Sequence, residues 1–138
     1  MNSVMKVVAR IHTTLYQMSG GRIGATMGGQ DILMLRHLGA KSGKVYTSPL
    51  GYIKDGDAYV VIAAAMGQPN HPGWYHNLKK TPNTTITIGG EKIQVIAEIA
   101  PPAKRDELWA KLSADIPHFD TFQAKTSRVI PAILLHPQ

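Results

Sequence analysis

The chain has 138 residues, 43% of them apolar and none a cysteine, which is enough for one domain with its own core and too few for two ordinary ones. The absence of cysteine excludes disulfides, thiolate metal sites and cysteine nucleophiles, and it suits a reducing, cytoplasmic setting. The formal net charge of +6 lies entirely in residues 1–54, where seven bases face the single acid Asp31, while residues 55–138 balance eight against eight; such asymmetry points to an anionic partner.

Val4, Val7, Val8, Ile11, Leu15 and Met18 recur at helical spacing, so residues 3–17 are expected to form an amphipathic helix, one that could also touch a membrane surface peripherally. Ser19-Gly20-Gly21 stops it, and GGRIGATMGG is expected as a flexible loop. That loop follows a helix and lacks G-x-G-x-x-G spacing, so it is not a dinucleotide fingerprint. DILMLRHL (31–38) and VYTSPLGYI (45–53) read as strands, with Pro49 demanding an edge position or a bulge. Asp55-Gly56 marks a hairpin, and AYVVIAAA (58–65), apolar on both faces, reads as a buried strand.

After the loop MGQPNHP, Pro72 opens a short helix, PGWYHNLKK, because its missing N–H costs nothing in a first turn. TTITI and a strand carrying Ile93, Val95, Ala97 and Ile99 flank a Gly89-Gly90 turn. Pro101-Pro102 then opens a helix with Leu108, Trp109, Leu112 and Ile116 on one side, and RVIPAILL (128–135) is the expected last strand, its proline again placing it at an edge. About six strands joined mostly by hairpins, with flanking helices, make a single α+β domain around an antiparallel sheet or small barrel. No run is apolar enough to span a bilayer, and residues 1–30 lack the features of a signal peptide.

Several chemistries fail on spacing. GAKSGK places three residues, not four, between Gly39 and Gly43, and Val45 stands where a Walker A loop needs a hydroxyl. His71 and His76 are five apart, off one helical face, with no carboxylate nearby in sequence, so no metal site is expected. A triad of Ser42, His76 and Asp57 has no nucleophile-elbow signature. What remains is a tight loop whose amides around Ser42-Gly43 could cradle a phosphate with Lys41 and Lys44 adding charge, or a plain hairpin with exposed lysines. Anion-binding equipment without evident acid–base machinery suits a protein whose bound cofactor performs the chemistry.

The order of motifs over nearly the whole chain is more specific. An apolar strand is followed by Gly39, Lys41, Ser42 and Gly43; then come Pro49-Leu50, the hairpin from Asp55 to Val61, a small-residue strand, and Pro72, Trp74, Tyr75, Asn77 and Leu78. LYQMSGGRIG and IPAILLHP bracket them. This resembles the deazaflavin-dependent nitroreductase family, which uses coenzyme F-420.

The resemblance implies a split antiparallel β-barrel and an oxidoreductase that passes hydride from reduced F-420 to an electron-poor small molecule: an activated C=C, a quinone or a nitro compound. It also implies a cofactor site. Lys41, Ser42 and Gly43 would hold the coenzyme's phosphate, Lys44 would lie near its oligoglutamate tail, and Pro49 would shape the ring pocket. Ala63, Ala64, Ala65, Met66 and Gly67 would present backbone amides to the ring's pyrimidine edge, with Trp74 and Asn77 bracing from the short helix. Tyr52 is a candidate proton donor. Ala40, Tyr46 and Ala65 stand where the family often carries a base. Phe119 and Phe122 replace tyrosines that frame the substrate in nitroimidazole-reducing relatives, which implies a more apolar acceptor such as a quinone or enone. Related barrels often pair, which leaves the oligomeric state open between a monomer and a homodimer. The same fold binding FMN or haem, or serving as an F-420 carrier, is the alternative. A nucleic-acid or anionic-lipid binder is the more remote one, since no aromatic-interleaved basic motif appears.

Overall fold

A computed structural model of the chain describes residues 26–27 and 30–138, so the amphipathic helix expected over residues 3–17 lies outside the described residues. The elements are β1 (Thr26–Met27), β2 (Gln30–Leu38), β3 (Val45–Asp55), β4 (Ala58–Ile62), a 3-10 turn (Ala65–Gly67), α1 (Gly73–Lys80), β5 (Asn83–Ile88), β6 (Glu91–Ile99), α2 (Pro102–Asp115), α3 (His118–Ala124) and β7 (Ala132–Pro137). Strands β2, β3, β4, β7, β6 and β5 pair in that order, all antiparallel, and β5 returns to β2 through Met34–Thr87 and Leu35–Ile86. Among the described residues the result is a closed six-strand barrel with three helices, the α+β split barrel that the motif order implied.

Side-chain alternation explains the layers. Leu33 and Leu35 of β2, Val61 of β4, Ile86 of β5, Val95 of β6 and Ile133 and Leu135 of β7 fill the interior, joined by Trp74, Tyr75 and Leu78 of α1. The outward residues Ala58 and Val60 of β4 and Ala132 and Leu134 of β7 are roofed by Leu108 of α2. AYVVI is therefore apolar on both faces because one faces the barrel and the other a helix. Each such Val, Leu or Ile contributes about 1.5–3 kcal/mol by leaving water.

Four expectations change. The strand expected over 58–65 ends at Ile62, because Ala65, Met66 and Gly67 turn to positive φ. The last strand begins at Ala132 and lies between β4 and β7's other neighbour, β6, so it is no edge. Pro131 precedes it, where a missing N–H breaks no ladder, and its carbonyl accepts from Ala63 N–H at 3.0 Å. Helix α3 was not expected; its seven residues are too few for periodicity to register, and Phe119 secures it against Trp109, Ile116 and Ile130. Within the glycine-rich segment, Thr26–Met27 pairs with Gln30 and Asp31 as β1.

Pro49 meets its expectation. It pairs with Met34 on one side, while β3 meets β4 only at Ile53, Lys54 and Asp55. Pro49 thus lies where β3 has a strand on a single side among the described residues, so its missing N–H is harmless.

Candidate functional site

Helix α1 stands between two short backbone turns. One is the loop over residues 39–44. Gly39 N–H donates to Lys44 O at 2.8 Å, Gly43 N–H to Gly39 O at 2.8 Å, and Lys44 N–H to Ser42 Oγ at 3.2 Å. Gly43 has φ +70, which glycine adopts without steric penalty. Because Gly43 N–H is used inside the loop, the amides left without an acceptor among the described residues are those of Lys41 and Ser42. The candidate cradle is therefore one residue earlier than the Ser42-Gly43 pair. Lys41 and Lys44 are exposed, and neither pairs with an acid among the described residues.

Helix α1 fastens this loop. Asn77 Oδ1 accepts from Ala40 N–H at 2.8 Å, and Lys80 Nζ donates to Ala40 O at 2.5 Å. With its oxygen so engaged, Asn77 turns its Nδ2 to His37 Nδ1, 2.9 Å away. An amide NH2 only donates, so Nδ1 accepts, and the His37 proton sits on Nε2, directed at Ser48 Oγ 2.9 Å away. Burial holds the His37 pKa down at about 4, in keeping with a neutral ring. Tyr46 stacks on that ring with centroids 5.7 Å apart.

The second turn covers residues 63–68. Ala64 is right-handed (φ −76, ψ −37), and Ala65, Met66 and Gly67 follow with φ 46, 53 and 79. A right-handed residue followed by a left-handed one makes consecutive N–H groups converge into an anion-binding concavity. Gly67 and Gln68 donate back to Ala64 O and Ala65 O at 2.9 and 3.0 Å. The N–H groups of Ala64, Ala65 and Met66 have no acceptor among the described residues. Left-handed backbone costs a residue with a side chain roughly 1–2 kcal/mol, so Ala65 and Met66 must be held there by their surroundings.

Two contacts do so. A Cβ on Gly67 would lie 2.6 Å from the carbonyl oxygen of Phe122, so α3 sits directly on the turn. Arg128, ahead of β7, donates from Nη1 to Ala63 O (3.1 Å), from Nη2 to Ala64 O (2.8 Å) and from Nε to Gln68 O (3.0 Å). Its Nη1 also lies 3.0 Å from His71 Nδ1, which must accept because a guanidinium only donates. Burial first, and then the Arg128 charge, lower the His71 pKa. Arg128 was not among the sequence candidates. The only trace it leaves there is an arginine whose nearest acid in sequence is Asp120.

The structure sorts the candidates into groups. Lys41, Ser42, Gly43, Lys44 and Asn77 gather at the first turn, and Ala63, Ala64, Ala65, Met66 and Gly67 form the second. Phe122, half-buried, and Phe119, buried, lie on α3 beside the second turn, edge-on to each other with centroids 5.8 Å apart. Trp74 is part of the barrel interior. Tyr52 packs edge-on against Tyr59, seven residues along β3 from Val45 and about 23 Å from the first turn at 3.3 Å per residue. Among the described residues no cluster of three or more His, Asp or Glu could hold a metal ion, and no helix is long and apolar enough to cross a membrane.

Comparison with known proteins bears on the family and the fold. Residues 8–137 match the family model described as F420H(2)-dependent quinone reductase. An F420H(2)-dependent quinone reductase of Mycobacterium tuberculosis is 37% identical over 130 residues, covering 91% of this chain and 87% of that protein. Among solved structures, an F420-H2 dependent reductase (FDR-A) superposes with a TM-score of 0.68 at 29% identity, covering 76% of this chain and 93% of its own. A structure described as a domain-swapped dimer superposes with a TM-score of 0.71 at 27% identity, covering 97% and 100%.

Proposed function

The chain belongs to the F420H(2)-dependent quinone reductase family and is a reductase that works with coenzyme F-420; from that premise we propose how its two turns divide the coenzyme and which acceptor it reduces. Three consecutive amides, Ala64 to Met66, without an acceptor among the described residues and held in a left-handed turn, carry the reading. They are donors in want of an electron-rich edge, and the pyrimidine carbonyls of a deazaflavin are such an edge. At the other end of α1, the Lys41 and Ser42 amides with the Lys41 ammonium form a seat for a phosphate, and Lys44 one for carboxylates of the tail. Helix α1 has eight residues and is about 12 Å long, a separation suited to a molecule with a flat ring at one end and an anion at the other. Pro49, on the single-sided stretch of β3, bounds the space between them.

Bound F-420 supplies a hydride from its ring carbon. The protein's part is to seat the ring, keep water from it and lay the acceptor against it, which reduces the number of competing orientations and so lowers the barrier. A quinone takes up that hydride and one proton. Solvent is the simpler proton source than Tyr52, whose ring is packed on Tyr59. Met66, 51% exposed, and Phe122 put apolar surface beside the turn, which favours a flat apolar quinone or enone over a polar nitro compound. A small-molecule acceptor and a second copy of the chain, by analogy with the domain-swapped relative, are the partners in this reading.

Fluorescence titration with oxidised F-420, and turnover of the reduced coenzyme on a quinone, an enone and a nitro compound, test it. Saturable F-420 binding and fastest turnover on the quinone are expected. Lys41→Ala should weaken F-420 binding roughly tenfold or more, the worth of a hydrogen bond to a charged group, while Lys92→Ala on β6 should not. Lys80 is no neutral control, because it holds Ala40 O. Preference for FMN or haem, or equal effects at Lys41 and Lys92, would overturn the assignment.

A further inference from the structure

We propose that Arg128 is a positioning residue for the coenzyme, gripping from behind the two peptide groups that offer the Ala64 and Ala65 amides to the ring. The inference rests on the ring-edge reading above. In a planar trans peptide, C=O and N–H point in opposite directions. Arg128 Nη1 and Nη2 take the carbonyls of Ala63 and Ala64. Those carbonyls belong to the same peptide groups as the N–H of Ala64 and of Ala65. A guanidinium bound to both oxygens therefore aims both hydrogens away from itself, toward the open side of the turn. Its third bond, from Nε to Gln68 O, holds the far end of the turn. The planar five-donor fork of arginine suits this set of acceptors, which a lysine ammonium on its single point cannot span.

The same contacts act electronically. Arg128 pairs with no acid among the described residues; its acceptors are three carbonyls and a neutral imidazole. A hydrogen bond received at a peptide oxygen polarises that peptide and strengthens its N–H as a donor. The uncompensated positive charge behind the turn adds to this, so the concavity favours electron density at the ring edge. Arg128 touches neither ring nor acceptor in this arrangement and acts through the amides.

The test uses two probes, intact oxidised F-420 and its phosphate-free deazaflavin fragment with the ribityl chain. Affinities are read by fluorescence, with the melting temperature recorded for each variant. Arg128→Met should weaken both probes by a similar factor of tenfold or more, whereas Lys41→Ala should weaken only the intact coenzyme. Arg128→Lys should recover part of the loss. Should Arg128→Met fail to fold, Arg128→Lys serves, with amide NMR as the spectroscopic readout. The fragment should move the Ala64 and Ala65 amide protons downfield in the wild type and by less in Arg128→Lys. Lower melting temperature with unchanged fragment affinity and unchanged amide shifts would make Arg128 a structural anchor alone and overturn the inference. Wild-type amides at 64–66 that ignore the bound fragment would instead overturn the ring-edge reading beneath it.

Discussion

His37 is held between Asn77 and Ser48 in a geometry that only the neutral ring satisfies, since a proton on Nδ1 would face the Asn77 NH2. Its folded pKa of about 4 lies below the ordinary 6.5 because burial penalises the charge. As pH falls, the unfolded chain takes up the proton first. The stabilisation is therefore complete above pH 6.5 and is lost as pH drops from 6.5 toward 4. Urea unfolding should show roughly 2 kcal/mol less stability at pH 4.5 than at pH 7 from this group, and His37→Gln should remove that part of the slope. An unchanged slope in the variant would mean that other groups, His71 among them, account for it. At this scale the lysines and glycines of the first turn could be picked out because they are contiguous. Arg128 could not, because its four partners lie 57 to 65 residues away.

The element that matters most is the turn after β4. Alanines 63 to 65 continue the apolar run without any local stop signal, so periodicity extends the strand through them. The chain turns instead because Gly67 admits the backbone of α3 and Arg128 ties the carbonyls, both non-local causes. Replacing Met66 by glycine should relieve its left-handed φ of 53 while losing little packing, as the side chain is half-exposed. The expected gain is up to about 1 kcal/mol in a urea unfolding experiment, after the extra freedom of the unfolded chain is set against the strain. F-420 affinity should fall severalfold at the same time, because a looser turn must be ordered on binding. A variant that gained stability with unchanged affinity would show that the strained turn is not preorganised for the ligand.

For the molecule as a whole, barrel closure depends on a narrow seam, Met34–Thr87 and Leu35–Ile86. Ile86 is fully buried there, with its side chain in the interior cluster. Ile86→Ala should destabilise by roughly 2–5 kcal/mol, against under about 1 kcal/mol for the part-exposed Ile96→Ala on β6. Comparable urea midpoints for the two variants would show that the seam is not a determinant of stability. Short-range physics wrote much of this protein into its sequence. Alternating side chains specify strands, paired glycines and Asp-Gly specify hairpins, and prolines open helices, since each depends on neighbours a few residues away. Motif order along the chain likewise identified an F-420-dependent reductase and its split barrel. Tertiary structure alone decided where β4 stops, that β7 is central, that α3 exists and that Arg128 stands behind the second turn. Those outcomes depend on hydrogen bonds and packing between segments tens of residues apart, which no local pattern encodes.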